Sequence, residues 1–176
     1  NLDEAWLVSA ESLRQARKYQ AAREALEKIQ PSSPWYESAR VREIWSWRDE
    51  GKDEGALTAA RDFAGQSDTR LARTTLADME RSAGNYETAE AIYSKLIGDL
   101  KTPARGDWPL YFARGASRER LGQFGEAELD LKQALVLSPD EPDVLNYLGY
   151  SWIERGENLN EGLAMLERAV SLSPKA

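Results

Sequence analysis

One pattern of turn, small and apolar residues occurs in five copies along the chain. Each copy ends in a small residue, and the copies are R-K-Y-Q-A-A to Ala22, G-K-D-E-G-A to Ala56, G-N-Y-E-T-A to Ala89, G-Q-F-G-E-A to Ala127 and the longer G-E-N-L-N-E-G to Gly162. An apolar residue follows four positions later and another three positions after that, giving Leu26 with Ile29, Ala60 with Phe63, Tyr93 with Leu96, Leu131 with Ala134, and Leu166 with Ala169. Residues with these spacings share one stripe of an α-helix. The pattern therefore predicts a helix after each turn.

Prolines and a longer period predict a second helix in each unit. Pro34, Pro139 and Pro174 come twelve residues after the small residue in copies one, four and five, where a proline ends one helix or opens the next. Tyr111 and Leu145 are 34 residues apart, a period typical of stacked helix pairs. The predicted unit is helix, turn, helix, turn.

The fourth and fifth copies resemble the tetratricopeptide repeat family. That family's repeat has a recurring pattern: a large apolar residue, Leu-Gly, an aromatic, Gly-x-Tyr, a small residue, an aromatic, Ala and Pro. Here Gly115 and Gly149 match the first glycine of the pattern, and Gly122 and Gly156 match the glycine of the turn. The resemblance implies an all-α fold, a right-handed superhelical solenoid of about five helix-turn-helix repeats and about ten helices. The predicted repeats are about 3–36, 37–69, 70–107, 108–141 and 142–176, in a single domain, 1–176, that we expect to be a fragment of a longer protein.

The first three repeats depart from the family pattern at identifiable positions. Arg17 replaces the turn glycine of repeat one, Arg40 and Glu43 stand where repeat two should have apolar residues, and Glu80 replaces an aromatic in repeat three. The third repeat is also longer than the others, so we expect an extended or exposed loop around Lys101–Gly106.

Composition excludes several classes of function. The 176 residues contain no cysteine and no histidine, which excludes Ser-His-Asp and Cys-His catalysis and ordinary zinc sites. We expect no catalytic residue, no metal and no cofactor. The net charge of -7 repels phosphate backbones, so nucleic acid is not expected as a partner. No apolar run reaches the roughly 20 residues that span a bilayer, so direct membrane insertion is not expected either.

The family resemblance implies that the first helices of successive repeats line a concave groove for a partner. Carried over residue by residue, the groove positions include Leu7, Glu11 and Arg14; Val41, Trp45, Arg48 and Asp49; Leu71, Thr74, Asp78 and Arg81; Phe112, Glu119 and Arg120; and Asn146, Tyr150, Ile153 and Glu154.

Arg14, Arg48 and Arg81 fall on the same position of three successive repeats. As a ladder of guanidinium groups they suit an acidic peptide or a chain's terminal carboxylate, which arginine binds with two hydrogen bonds. In the alternative interpretation each arginine pairs with a neighbouring acid such as Glu11 or Asp49 and solvates the surface.

Aromatic and polar residues complete the predicted partner-binding set. Trp45, Phe112 and Tyr150 are predicted to be exposed, and tryptophan, tyrosine and arginine dominate interface hot spots. Arg120 and Asn146 occupy groove positions beside them.

The sequence leaves three functions open. The first is an interaction scaffold or adaptor that binds a peptide segment of a partner, and the second is the recognition arm of an enzyme whose catalytic domain lies outside this chain. The third is self-association through the end of the last repeat, where Leu163, Leu166 and Val170 form an apolar face. The fifth copy is similar to repeats of proteobacterial proteins, many of them exported, which favours a bacterial envelope setting over the cytoplasm.

Overall fold

The computed structural model describes residues 2–173, and this part of the chain contains ten α-helices, one short 3-10 helix and no β-strand. The helices form five consecutive pairs joined by short turns. The pairs are α1 (Leu2–Gln15) with α2 (Tyr19–Leu26), α3 (Tyr36–Asp49) with α4 (Asp53–Gln66), α5 (Arg70–Ser82) with α6 (Tyr86–Gly98), α7 (Trp108–Arg120) with α8 (Phe124–Leu137), and α9 (Pro142–Arg155) with α10 (Leu159–Leu172). The predicted all-α repeat fold is confirmed. Pro174, predicted to end the last helix, lies outside the described residues.

The chain divides into two compact units, Asn1–Ile92 and Tyr93–Ala176. The first unit has one apolar cluster around Leu26 and Ile29 and another around Ile44 and Phe63, all of them almost fully buried. Leu26, Ile29 and Phe63 come from the stripes that the repeat pattern predicted, since each follows a small turn residue at the repeat spacing, whereas Ile44 lies on α3.

The second unit has its core where α7, α8 and α9 meet. Tyr111, Leu131, Val144, Leu148 and Trp152 are buried together in this cluster. Burial of large apolar side chains contributes about 1.5–3 kcal/mol each, so these residues account for much of the unit's stability.

Small residues let the two helices of a repeat approach closely. A Cβ atom placed on Gly149 of α9 would lie 2.7 Å from the carbonyl oxygen of Gly162 in α10. A Cβ atom on Gly115 of α7 would lie 3.2 Å from the carbonyl oxygen of Ala127 in α8. The small residue that marks each of these copies in the sequence is therefore the point at which the backbones of the helix pair touch.

The turn between the paired helices requires a left-handed backbone. Gly51, Gly84, Gly122 and Gly156 have φ angles of 80°, 84°, 77° and 69°, and Arg17 takes the same place in the first repeat with φ 59°. An L-residue in this conformation costs roughly 1–2 kcal/mol, so Arg17 is strained where glycine is not.

Three residues that depart from the repeat pattern, Arg40, Glu43 and Glu80, form two polar contacts inside the first unit. Glu80 of α5 is buried and accepts hydrogen bonds from Arg61 Nε at 2.8 Å and Asn85 Nδ2 at 2.7 Å. Burial raises the pKa of Glu80, but these hydrogen bonds and the charge of Arg61 outweigh it, and the pKa falls below its usual range. Arg40 pairs with Glu43 at 2.8 Å on α3. The aromatic and apolar side chains of the family pattern are thus replaced by charged groups that pair with each other, although the Nε atom of Arg40 has no hydrogen-bond partner among the described residues.

A third polar contact joins α2 to α3. Arg23 is 5% exposed, and its guanidinium lies 3.6 Å from the centre of the Trp47 ring while donating to Glu50 Oε2 at 2.6 Å and Ser46 Oγ at 3.3 Å. A buried arginine is tolerated only when its charge and its donors are both satisfied, as they are here.

The long connection between α6 and α7 is an exposed loop, as predicted. Residues 101–106 are all exposed, and the loop ends in the 3-10 helix Arg105–Asp107. Asp107 is buried, and its Oδ2 atom accepts a hydrogen bond from the backbone N–H of Ala104 at 2.8 Å. This bond fixes the entry of the chain into α7.

Replacing Gly149 with Ala is expected to destabilise the chain by about 1–3 kcal/mol, because the new methyl group meets backbone that cannot move away alone. Gly125, also helical, has no atom within 4 Å of an added Cβ, so Gly125→Ala is the matched control and should be neutral or stabilising by up to about 1 kcal/mol. Urea unfolding followed by circular dichroism measures both variants, and equal stability of the two would contradict the proposed helix contact.

Replacing Glu80 with Gln is expected to lower the free energy of unfolding by about 1–2 kcal/mol at pH 7. The loss is no larger because Arg61 is half exposed, so that solvent partly screens its attraction to Glu80. Because the folded-state pKa of Glu80 is lowered, its contribution is present above the unfolded pKa and disappears as pH falls through the folded value. The stability gap between the two proteins should therefore narrow below about pH 4, near the unfolded pKa of glutamate. Glu87→Gln, at an exposed position of α6, should leave stability nearly unchanged at every pH.

Candidate functional site

Four predicted binding residues lie on the first helices of the N-terminal unit, and the structure gives the three arginines different environments. Arg14, in the last turn of α1, donates from Nη2 to Glu11 Oε1 at 2.9 Å and also pairs with Asp49 at the end of α3. The hydrogen bond to Glu11 and then that to Asp49 raise the pKa of Arg14, and the Arg14 guanidinium lowers the pKa of Glu11. For this residue the alternative interpretation, pairing with neighbouring acids, describes the contacts.

Arg48 on α3 has a different neighbour. Its guanidinium lies 5.1 Å from the centre of the Trp45 ring, one helical turn away, and Trp45 is 42% exposed. No carboxylate within the described part of the chain forms an ion pair with Arg48. An exposed tryptophan and a stacked arginine therefore form one patch, which we call the Trp45–Arg48 patch.

Arg81 is in the last turn of α5 and is partly buried. Its Nε atom is buried without a hydrogen-bond partner among residues 2–173. No ring contact or ion pair in that range joins it to the Trp45–Arg48 patch. The three arginines, 34 and then 33 residues apart in the sequence, are thus one paired arginine, one stacked arginine and one whose Nε atom has no partner among the described residues.

In the C-terminal unit the structure brings five predicted groove positions together around one cavity. This cavity, which we call the α7–α9 cavity, has a volume of about 260 Å³. Its walls are Glu119, Arg120, Asn146, Tyr147, Tyr150, Ser151 and Glu154. Three of these, Arg120, Asn146 and Tyr150, were predicted as binding residues, and Tyr150 is 56% exposed.

A hydrogen-bond relay lies at the α7–α9 cavity. The hydroxyl of Ser151, a buried residue, donates to Glu119 Oε1 at 2.6 Å and accepts from Arg155 Nη1 at 3.0 Å. The second oxygen of Glu119, Oε2, is buried and has no hydrogen-bond partner among the described residues. A buried carboxylate oxygen without a donor is unusual, because more than about nine in ten buried polar groups are satisfied.

Phe112 is not exposed as predicted. It is half-buried, with its ring 6.0 Å from that of Trp108 and 5.5 Å from that of Tyr147, the latter in an edge-on arrangement. The repeat register placed it on the groove side, but at this level α7 packs against α9, and neighbouring aromatic rings cover it. Aromatic pairs of this geometry stabilise by about 0.5–1.5 kcal/mol beyond burial, so packing accounts for Phe112.

Sequence reasoning missed two further cavities. One, of about 530 Å³, lies between α3 and α4, and its lining includes Arg40, Glu43, Glu54 and Asp62. Burial, opposed by the charge of Arg40, raises the pKa of Glu43 there. The charged residues at apolar repeat positions were the available signal for this cavity.

The other cavity, of about 430 Å³, lies in the C-terminal unit and includes Leu135, Leu145 and Met165 in its lining. On α10 itself Leu163 and Val170 are exposed. Self-association through this apolar surface stays a prediction.

Two other kinds of site are absent from residues 2–173. In this range no group of acidic side chains is arranged to hold a metal ion, and no helix has the length and apolar character needed to cross a membrane.

A tetratricopeptide repeat family model matches residues 112–176. Over this segment the chain is similar to that family. No curated protein matches the chain by sequence. Solved structures extend the likeness over the remaining residues. A thermophilic tetratricopeptide repeat protein from Thermus thermophilus is 23% identical, with a TM-score of 0.72 over 98% of this chain and 92% of that chain.

Two other solved structures show the same fold at lower identity. The MamA fragment from residue 41 to the end from Desulfovibrio magneticus RS-1 is 11% identical, with a TM-score of 0.76 over 99% of this chain and 96% of that one. MamA of strain MSR-1 is 20% identical, with a TM-score of 0.68 over 98% and 97%. The tetratricopeptide fold recognised in the sequence is thus confirmed.

Replacing Arg14 with Gln is expected to lower stability by roughly 0.2–1 kcal/mol, the usual range for exposed ion pairs, because Glu11 and Asp49 both lose a partner. Arg48→Gln is the matched control at the same repeat position, and without an ion pair it should melt within error of the unchanged protein. Thermal melting in low and high salt compares the two variants. A larger drop in melting temperature for Arg48→Gln than for Arg14→Gln would contradict the assignment of Arg14 to a structural role and of Arg48 to a free surface.

Proposed function

We propose that this tetratricopeptide chain is a protein-binding scaffold or adaptor that holds a segment of a partner protein against its first helices. The observation that carries the proposal is the exposure of Trp45 on α3 and Tyr150 on α9, each beside an arginine at a groove position. Tryptophan, tyrosine and arginine are the residue types most enriched at the centre of protein interfaces. An exposed aromatic residue beside an arginine occurs in each unit, and this favours partner binding over simple solvation of the surface.

The Trp45–Arg48 patch favours a partner segment with acidic side chains. Arg48 is not neutralised by a carboxylate among residues 2–173, and a guanidinium binds a carboxylate through two parallel hydrogen bonds. Arg14, in contrast, is held by Glu11 and Asp49, so it positions the end of α3 rather than offering its charge. Within the proposal, Arg48 and Trp45 are the main contacts and Arg14 supports them.

The proposal assigns binding and not catalysis to this chain. The net charge of -7 supports a protein partner over nucleic acid, since phosphates are repelled.

A photo-cross-linking residue placed at each of three positions tests the proposal directly. Benzoylphenylalanine at Trp45 or Tyr150 should cross-link a discrete partner in extracts of the source organism. Benzoylphenylalanine at Val136, which is more exposed than either position but lies on the second helix α8, should not. Equal cross-linking from all three positions, or none from Trp45 and Tyr150, would count against binding by the first helices.

Changing Arg48 to Gln should weaken capture of the cross-linked partner about tenfold at 0.1 M salt, the loss of one charge-assisted contact, while melting stays the same. The difference should shrink as salt rises, because exposed charges are screened over about 10 Å at this ionic strength. Lys101→Gln, in the exposed loop, removes the same charge away from the first helices and should leave capture unchanged. Partner affinity that is insensitive to both Arg48→Gln and salt would reject the acidic segment.

A further inference from the structure

The α7–α9 cavity of the C-terminal unit differs from the Trp45–Arg48 patch in its chemistry. Glu119 lines this cavity, and its carboxylate oxygen Oε2 is buried and has no donor among the described residues. The other oxygen of the same carboxylate is held by Ser151 at 2.6 Å, which fixes the side chain's orientation. A fixed, desolvated carboxylate with one free acceptor site needs a donor.

We propose that the α7–α9 cavity binds a lysine or arginine side chain of the partner segment, with Glu119 Oε2 as its acceptor. This inference rests on the proposed function and names the residue that the second unit selects. The cavity volume of about 260 Å³ is below the range of sites for drug-sized molecules and suits a single side chain.

The surrounding charges favour a cation over an anion. Glu154 adds a second carboxylate to the cavity wall. Arg155, which lies behind Ser151, has its charge balanced by Glu157 at 3.0 Å and Glu128 at 3.7 Å. Arg120 is exposed at the wall and already has an interaction within the chain. An acidic side chain entering here would meet a buried carboxylate, which is strongly unfavourable.

The tyrosines of the cavity provide the second half of the site. Tyr150 is exposed by 56% at the mouth, and Tyr147 lines the wall beside it. Aromatic rings attract cations over their faces and also cover the methylene stem of a long basic side chain. A cationic side chain with an apolar stem therefore satisfies both the carboxylate and the rings.

The test uses three small probes: N-acetyl arginine amide, its neutral isostere N-acetyl citrulline amide, which has the same stem, and the anionic N-acetyl glutamate amide, whose stem is one methylene shorter. Each is titrated into the ¹⁵N-labelled chain while the backbone resonances of Tyr150 and Ser151 are followed. The arginine probe should shift these resonances saturably and bind about tenfold more tightly than the citrulline probe, since a charge-assisted bond replaces a neutral one. Binding of the glutamate probe at these resonances, or equal binding of arginine and citrulline, would overturn the assignment.

Variants separate the role of Glu119 from general surface charge. Glu119→Gln should abolish the preference for arginine over citrulline, whereas Glu167→Gln, an exposed carboxylate on α10, should retain it. If Glu119→Gln does not fold, Tyr150→Ala takes its place and should weaken the arginine probe about threefold, the loss of one exposed cation–π contact. Unchanged binding in the folded Glu119→Gln variant or in Tyr150→Ala rejects the proposal.

The failure of this inference is distinguishable from failure of the proposed function. Cross-linking from Trp45 and Tyr150 without arginine selectivity rejects the cationic side chain alone. Absence of cross-links from both positions rejects partner binding itself.

Discussion

The close contact between paired helices is the constraint on which the other features depend. At Gly149 and Gly162 the backbones leave no room for a methyl group, and Gly115 with Ala127 repeats the arrangement in the preceding pair. This contact sets the angle and rotation of each pair, which in turn decide which face of the first helix is buried. The residues left outside, such as Tyr150, are available for binding because the opposite face of the same helix carries the core residues Leu148 and Trp152.

The sequence predicted the helix pairs well because their signals are local. The small residue and the apolar stripe that follows it lie within one helix. The environments of the predicted binding residues were not local, and this is where prediction failed or stayed open. Arg14 meets Asp49, 35 residues away, and Phe112 is covered by Tyr147 from another helix. The α7–α9 cavity could be anticipated only as a set of groove positions, since neither its volume nor the unsatisfied oxygen of Glu119 leaves a trace in residue spacing.

Both units contain a buried carboxylate that is stabilised by several hydrogen-bond donors. Glu80 is held by Arg61 and Asn85 in the first unit, and in the second Asp130 accepts from Arg114 at 2.7 Å and Arg118 at 3.0 Å. Each carboxylate is buried and each has more than one donor. In Glu119, by contrast, only one carboxylate oxygen has a donor among the described residues. This difference from Glu80 and Asp130 supports the proposed binding role of Glu119.

The polar pairs between successive helix pairs have a consequence for how this chain can evolve. Arg23 of the first repeat meets Ser46, Trp47 and Glu50 of the second, whereas Glu128 of the fourth meets Trp152 of the fifth, so these two junctions differ in their chemistry. A deletion of residues 37–69 by recombination would place Met79, Glu80 and Ala83 at the positions of Ser46, Trp47 and Glu50, so Arg23 would lose its hydroxyl acceptor and its aromatic ring. Consensus repeats tolerate duplication and loss because all their junctions are alike. In this chain, loss or duplication of a repeat by unequal crossing-over would bring mismatched side chains together at the new junction and destabilise the fold. Selection should therefore preserve the order of the repeats.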